Sequence, residues 1–256
     1  MKITRILNLL TLLLTITVNG LANTLPINNK LTGEISDSFN ALFTPAGYVF
    51  AIWGVIYLVL TVFAVYQILP GQKDNKRIDR IGPWFIIANL ANAAWIFAWH
   101  YLQFALSLAI MLVLLVSLLV IYTRLEIGIK SVSPKERWLV DVPFGIYLGW
   151  ISVATIANVS SVLIDLGWNG FGISAEIWTV AMIVIAVVLG IMMTWRRQEI
   201  AYPLVLVWAI YGINQNKTGN ALVHTTALIA AIVLLGVVFL MRGVIRRHNL
   251  IKRYTS

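Results

Sequence analysis

Apolar segments long enough to cross a bilayer recur along almost the whole chain, and this recurrence limits the fold more than any other feature. Of the 256 residues, 60% are hydrophobic and 11% are charged. A transmembrane helix needs about 20 apolar residues, and hydrocarbon leaves no partner for backbone groups outside helices or closed barrels. The pattern predicts an all-α integral membrane protein with about eight transmembrane helices. The predicted spans are 6–21, 46–68, 82–103, 104–124, 141–164, 174–195, 201–214 and 221–241.

The basic residues predict the orientation of these spans, because cytoplasmic loops are enriched in Lys and Arg. With a cytoplasmic N-terminus, the inner segments hold every Lys and Arg except Lys30 and Lys217. Segment 201–214 must then cross, although it is short for a hydrocarbon core of about 30 Å. We expect a multi-pass protein of the cell (inner) membrane with both termini cytoplasmic. The first apolar run also fits a signal peptide, and its removal would leave the other spans unchanged.

The composition argues against several classes of site. The net charge of +9 comes from short basic clusters between apolar runs, where topology and anionic lipid explain it, so we expect membrane lipid and not nucleic acid as a partner. The chain has no Cys, which excludes disulfides and thiolate chemistry. No Lys, Arg, Asp or Glu lies in the middle of a span. This absence argues against a Schiff base, a proton relay or a voltage sensor within the membrane. The residues suggest no metal site and no catalytic residue.

Aromatic and amide side chains of three predicted spans fall at a similar depth when residues are counted from the span ends at about 1.5 Å each. Such a set lines a pocket for a flat hydrophobic molecule or packs the helices together, and periodicity leaves both interpretations open. The first loop, 22–45, is either a lid over this set or a flexible connector. The set comprises Tyr48 and Trp53 of the second span, Asn92 and Trp95 of the third, and Trp150 and Asn158 of the fifth.

Three motifs in these spans resemble the tryptophan-rich sensory protein family, also called the TspO or translocator protein family. Residues 43–50, FTPAGYVF, followed by Trp53 and Tyr57, are similar to the family's W-x-P-P-x-W-V-F…W…L-Y stretch into its second helix. Asn92 and Trp95 resemble the N-x-x-W of its third helix. Residues 147–158, YLGWISVATIAN, resemble its fifth-helix Y-L-A-W-V-S-F-A-T-x-L-N.

The resemblance implies a five-helix unit over residues 1–165, a retained first helix, a homodimer, and a pocket under the first loop for porphyrins and other planar hydrophobic molecules. A tetrapyrrole would be a ligand and not a resident cofactor. The last three spans, within 166–242, have no counterpart in a five-helix unit, and residues 243–256 form a basic cytoplasmic tail. The implied ligand-binding residues are Phe43, Pro45, Tyr48, Phe50, Trp53, Tyr57, Asn92, Trp95, Trp150, Ala154 and Asn158.

The first motif departs from the family pattern. Phe43 stands where the family has a loop tryptophan implicated in porphyrin photochemistry, Ala46 replaces its second proline, and Tyr48 replaces its next tryptophan. The missing indole argues against porphyrin degradation, so we do not expect an enzyme. We expect a membrane receptor or sensor for a planar hydrophobic ligand. A transporter that carries such molecules across the membrane is the alternative.

Overall fold

A computed structural model describes residues 2–25, 27–217 and 220–254, with side chains up to Met241. Within these ranges the chain forms eight helices of 14 or more residues, joined by short helical turns and loops. The expected basic tail, 243–256, is helical as far as Tyr254, and its side chains lie outside the described part. The helices are α1 (Ile3–Thr24), α2 (Ile52–Tyr66), α3 (Trp84–His100), α4 (Phe104–Arg124), α5 (Val142–Asp165), α6 (Ala175–Arg197), α7 (Ala201–Asn214) and α8 (Ala221–Tyr254).

The fold class is confirmed as all-α with several membrane-spanning helices. Six segments of the described chain are long and apolar enough to cross a bilayer. One of the six contains α2, which a 3-10 turn at Gly47–Ala51 extends to a continuous 20 residues. The two shorter helices, α3 with 17 residues and α7 with 14, pack inside the same bundle. Each therefore has helical neighbours along its length.

Successive helices reverse direction, so the connections lie at two ends of the bundle. The connections after α1, α3, α5 and α7 meet at one end, which we name the loop end. There the Asn216 amide donates to the Thr44 carbonyl. The connections after α2, α4 and α6 meet at the other, the basic end. There the Arg5 guanidinium, at the start of α1, reaches the carbonyl of Asn75 in the connection after α2.

Packing departs from chain order at several places. Helix α3 lies between α1 and α4, and α4 packs on α5. Helix α5 then packs on α7, whereas α6 packs on α7 and α8. Two glycines let α5 and α7 approach closely: a Cβ at Gly149 would lie 3.0 Å from the Tyr202 carbonyl oxygen, and one at Gly145 would lie 3.2 Å from the Ala201 Cβ. Helix α5 therefore packs on α2 and α4 on one side and on α7 on the other.

Buried ion pairs hold the basic end together. The Arg77 guanidinium donates to Asp141 Oδ1 at 2.5 Å and to the Leu125 carbonyl at 2.8 Å. The Arg5 guanidinium donates to Asp79 Oδ1 at 3.0 Å, and Lys2 also pairs with this carboxylate. Burial alone would raise the pKa of Asp79, but the hydrogen bonds and charges of Lys2 and Arg5 outweigh it and lower the pKa. The helices at this end are therefore linked by charged groups, of which Arg5, Arg77 and Asp141 are buried.

One more carboxylate is buried at this end, in the connection between α6 and α7. The Glu199 side chain accepts hydrogen bonds from the backbone N–H groups of Ala201 and Tyr202 at 2.6 and 2.8 Å, and so caps α7. Burial raises the pKa of Glu199 to about 7, against the opposing effect of these two N–H groups and of the Arg137 charge. This group titrates near neutral pH as a consequence.

Candidate functional site

An aromatic pocket lies in the loop-end half of the bundle, between α2, α3, α4 and α5 and beneath the first loop. Helix α5 supplies one wall through residues spaced at three and four positions, which share a helix face. The described lining residues are Thr32, Ser36, Thr44, Pro45, Phe50, Trp53, Trp95, Trp99, Met111, Trp150, Val153, Ala154, Ala157, Asn158 and Ser161. Apart from hydroxyl and amide groups, this lining is apolar.

The rings of the pocket pack against one another in two groups. Trp150 makes edge-to-face contacts with Phe50 and Trp53, with ring centroids 5.7 and 6.0 Å apart. On the facing helix, Trp95 and Trp99 stack at 5.3 Å, because four residues separate them and they project from one face of α3. Edge-to-face and offset ring pairs are favourable geometries. Each group is thus a stable wall in its own right.

Hydrogen bonds fix Asn158 but leave the Trp150 indole unpaired. The Trp95 Nε1–H donates to Asn158 Oδ1 at 3.0 Å, and the Asn158 amide donates to the Ser107 hydroxyl at 3.0 Å. This network joins α3, α4 and α5 behind the rings. In contrast, Trp150 is only 2% exposed, and its Nε1–H has no partner among the described residues. A buried donor without an acceptor costs about 1–3 kcal/mol, so this wall favours a ligand that carries one.

A family model described as TSPO-like protein matches residues 5–240 of the chain. The chain belongs to the TSPO-like family. No curated protein and no solved structure matches it. The family resemblance of the three sequence motifs is thereby confirmed, and the match continues through α6 and α7 into α8. Membership in the TSPO-like family indicates a sensor or transporter type of role in a membrane.

Seven of the eleven residues predicted from the family resemblance line the aromatic pocket, and four do not. Phe43 is buried but faces a different cavity. Tyr48 is 48% exposed and packs edge-to-face on Trp208 of α7. Tyr57 stacks on the back of Trp53, one turn further into the bundle. The seven lining residues are Pro45, Phe50, Trp53, Trp95, Trp150, Ala154 and Asn158.

The fourth residue outside the pocket, Asn92, joins helices instead. Its amide donates to the Tyr147 hydroxyl at 2.8 Å and its carbonyl accepts from the Asn19 amide at 2.9 Å. The three side chains connect α1, α3 and α5 near the middle of the bundle. Amide bonds between helices are a common means of association in lipid. For Asn92, the packing interpretation therefore accounts for the whole side chain.

The first loop covers the pocket, but the sequence did not indicate which of its residues do so. Residues Thr32–Ser38 form a short helix over it. The ring of His100, at the end of α3, holds this helix: Nε2 lies 2.8 Å from the Thr32 hydroxyl, and Nδ1 lies 3.1 Å from the Ile27 carbonyl. The Trp99 Nε1–H donates to the Thr32 carbonyl at 3.3 Å. The spacing of four residues between Trp95 and Trp99 indicates that they share a face of α3, so the sequence could have predicted that Trp99 lines the pocket. No sequence pattern indicates that His100 contacts the first loop.

The last part of the first loop is fastened to α7. The Ala46 N–H donates to the Gly212 carbonyl at 3.0 Å, and the Trp208 Nε1–H donates to the Val49 carbonyl at 3.1 Å. Gly212 is required for this approach, since a Cβ there would lie 2.2 Å from Val49 Cγ2. Helix α7 therefore positions the Pro45 turn at the pocket mouth. We name these contacts the α7 clamp.

The aromatic pocket is almost closed in this structure. Its cavity volume is about 50 Å³, whereas sites for small molecules are typically 300–1,000 Å³. A polar recess of about 390 Å³ opens at the loop end above it and shares Ser36 and Thr44 with it. Asp37 and Lys217 also line this recess. The first loop is thus the only covering, among described residues, between the recess and the aromatic rings.

Proposed function

We propose that the chain is a membrane receptor or sensor that binds a planar hydrophobic molecule of the tetrapyrrole type in the aromatic pocket. The unpaired Nε1–H of buried Trp150, in a wall built of tryptophan rings, is the observation that carries this proposal. A planar ligand supplies ring faces for Trp53, Trp95 and Trp150, and an acceptor on its edge pairs the indole. Binding of this kind needs no covalent step.

A ligand enters by displacement of the first loop. The cavity of about 50 Å³ admits no ring system, so binding requires the Pro45 turn and the helix Thr32–Ser38 to move. Neutral hydrogen bonds hold both segments, and each contributes only about 0.5–1.5 kcal/mol net. Opening breaks these hydrogen bonds and exposes buried side chains of the first loop such as Ile35, but it separates no buried charge pair among the described residues. It couples occupancy of the pocket to the position of the loop. That coupling is what a sensor requires.

The alternative function is transport of the same class of molecule across the membrane. The polar recess at the loop end favours access from that side. Beyond the pocket, the rings of Phe63, Phe85 and Phe144 interlock at 4.9–5.5 Å between centroids and fill the bundle toward the basic end. A bundle filled in this way favours a receptor over a transporter. The distribution of the basic residues predicts that its loop end lies outside and its termini lie in the cytoplasm. Saturable flux of a porphyrin into proteoliposomes would favour the transporter instead.

The proposal is tested by titrating the purified protein in detergent with protoporphyrin IX and following tryptophan fluorescence. We expect saturable quenching, and we expect Trp150→Phe to weaken binding about tenfold, as for loss of one hydrogen bond of about 1.4 kcal/mol. Trp195→Phe is the matched control, because Trp195 is 71% exposed near the end of α6 and should leave affinity unchanged. Equal affinity of the two variants would refute the site.

A further inference from the structure

A second cavity lies on the opposite side of α5, between α5 and α6 at the loop end. Its volume is about 490 Å³, within the range of small-molecule sites. Helix α6 packs on α7 and α8, and the cavity lies in the gap that this leaves between α5 and α6. Its described lining comprises Ala41, Leu42, Phe43, Thr155, Ile156, Val159, Ser160, Leu163, Ile164, Trp168, Asn169, Gly170, Ile173, Ala175, Trp178, Thr179 and Met182.

The walls of this cavity offer little to a polar ligand. None of the described lining residues is charged. The hydroxyls of Thr155, Ser160 and Thr179 donate to carbonyls of their own helices at 2.7, 3.0 and 2.8 Å. The Trp178 Nε1–H donates to the Gly170 carbonyl at 3.0 Å. Hydrocarbon, which needs no hydrogen bonds, suits such walls best.

The tryptophans here also differ from those of the aromatic pocket. Trp168 and Trp178 are tilted by 53° with centroids 5.2 Å apart, and Phe171 packs edge-on against Trp168. These rings contact one another and present no parallel pair of faces to a planar ligand. They lie at the helix ends, the level where tryptophan rings concentrate at a bilayer surface.

The cavity opens toward the bilayer. Ile164 and Ile173, at its rim, are 46% and 44% exposed, and exposed apolar groups on a membrane-spanning segment contact lipid. Asn169 lies beside them in the connection between α5 and α6. A molecule in the adjacent leaflet can thus insert a tail between the helices while its polar head stays at the surface.

We propose that this cavity is a binding site for one acyl chain of a membrane phospholipid, distinct from the aromatic pocket. The lipid occupies the gap between α5 and α6 and touches Phe43, so it supports the segment that leads into the Pro45 turn. It is a fixed component of the fold, unlike the lipid that surrounds the exposed helix faces.

The test uses the full chain reconstituted in phosphatidylcholine vesicles that contain a phosphatidylcholine with a mid-chain diazirine. After irradiation, crosslinked positions are mapped by mass spectrometry. We expect Val159, Leu163 and Met182 to be labelled at least several times more than Ile185 and Val188, which are 47% and 56% exposed on the outer face of α6. Labelling no greater in the cavity than on that face would mean surface lipid only and would overturn the proposal.

A filled cavity provides the second arm. Thr179→Phe places a ring in the cavity and should reduce labelling of Leu163 and Met182 severalfold, whereas Val188→Phe on the lipid-facing side should not. Unchanged labelling in Thr179→Phe would contradict the assignment. The wild-type map decides the matter even if Thr179→Phe does not fold.

Discussion

The two ends of the bundle are closed by different chemistry. At the basic end, the guanidinium groups of Arg5 and Arg77 are buried against carboxylates and backbone carbonyls. At the loop end, backbone and indole N–H groups meet carbonyls across the α7 clamp, and the His100 ring holds the first loop. A buried charge is expensive to separate from its partner, whereas a neutral hydrogen bond exchanges readily with water. The basic end is thus built to stay closed, and the loop end to open.

Removing a buried charge at the basic end should have the largest effect. Arg77→Met leaves Asp141 buried without its cation, and loss of one partner of a buried pair costs about 3–5 kcal/mol. We expect a large fall in Tm in detergent micelles. Arg80→Met is the control, because the Arg80–Glu126 pair is half exposed and contributes about 0–1 kcal/mol. Similar losses of Tm in both variants would contradict the claim that buried ion pairs keep the basic end closed.

The second prediction concerns pH. The pKa of Glu199 is raised from 4.5 to about 7, so the folded state binds this proton more tightly than the unfolded state. Stability is therefore complete below about pH 4.5 and falls by at most about 3 kcal/mol as pH rises through 7. Burial and the charge of Asp141 favour the neutral form of Glu199, whereas the backbone N–H groups of Tyr202 and Ala201 and the charge of Arg137 oppose them.

Glu199→Gln should abolish this pH dependence, because the amide does not titrate. The measurement is the Tm of wild type and variant at pH 5 and pH 7.5. A wild-type Tm that rises over this interval would contradict the assignment. The lowered pKa of Asp79 acts in the opposite direction but only at acidic pH, as that carboxylate takes up a proton.

The third and smallest effect is expected at the α7 clamp. Gly212→Ala forces a methyl group toward Val49 and Pro45, and overpacking of this kind costs about 1–3 kcal/mol. The first loop should then open more often, and porphyrin association in stopped flow should become faster. Gly236→Ala in α8 is the control, since its Cβ meets nothing within 4 Å. Equal association rates for the two variants would show that the α7 clamp does not control ligand entry.

The sequence predicted the fold more fully than the site. Charge sorting and apolar length predicted an all-α membrane protein, and the described chain has eight helices of 14 or more residues, six of them in segments long and apolar enough to cross a bilayer. Trp53, Trp95 and Trp150 line one pocket, as both their similar predicted depth in the membrane and the family motifs indicated. Phe43 and Tyr48 lie outside this pocket, because loop geometry depends on contacts with α7 that are remote in sequence. Helices that are apolar on every face give no periodicity from which their rotation could be derived.

Other expectations stay predictions. These are the bound tetrapyrrole, the homodimer and the choice of membrane, all of which depend on molecules other than this chain. Glu199 could not be recognised from sequence, because a carboxylate between two apolar runs looks like any loop residue. Its burial comes from the assembled helices, among them α5, where Gly145 leaves room for the carboxylate. Burial is a property of the assembled helices and not of the segment.

The most direct test of the account is whether ligand binding opens only the loop end. The chain has no Cys, so pairs of spin labels can be introduced without background. One pair is placed at Ser38 and Leu166 of the loop end, and a control pair at Lys73 and Lys130 of the basic end; all four side chains are exposed. Distances are then measured by pulsed electron paramagnetic resonance with and without protoporphyrin IX.

We predict that the loop-end distance changes by more than about 2 Å on binding, as in complexes with loop rearrangement, while the basic-end distance does not. A saturated sample in which the loop-end distance is unchanged, or in which the basic end also opens, would contradict a receptor that admits its ligand from one side.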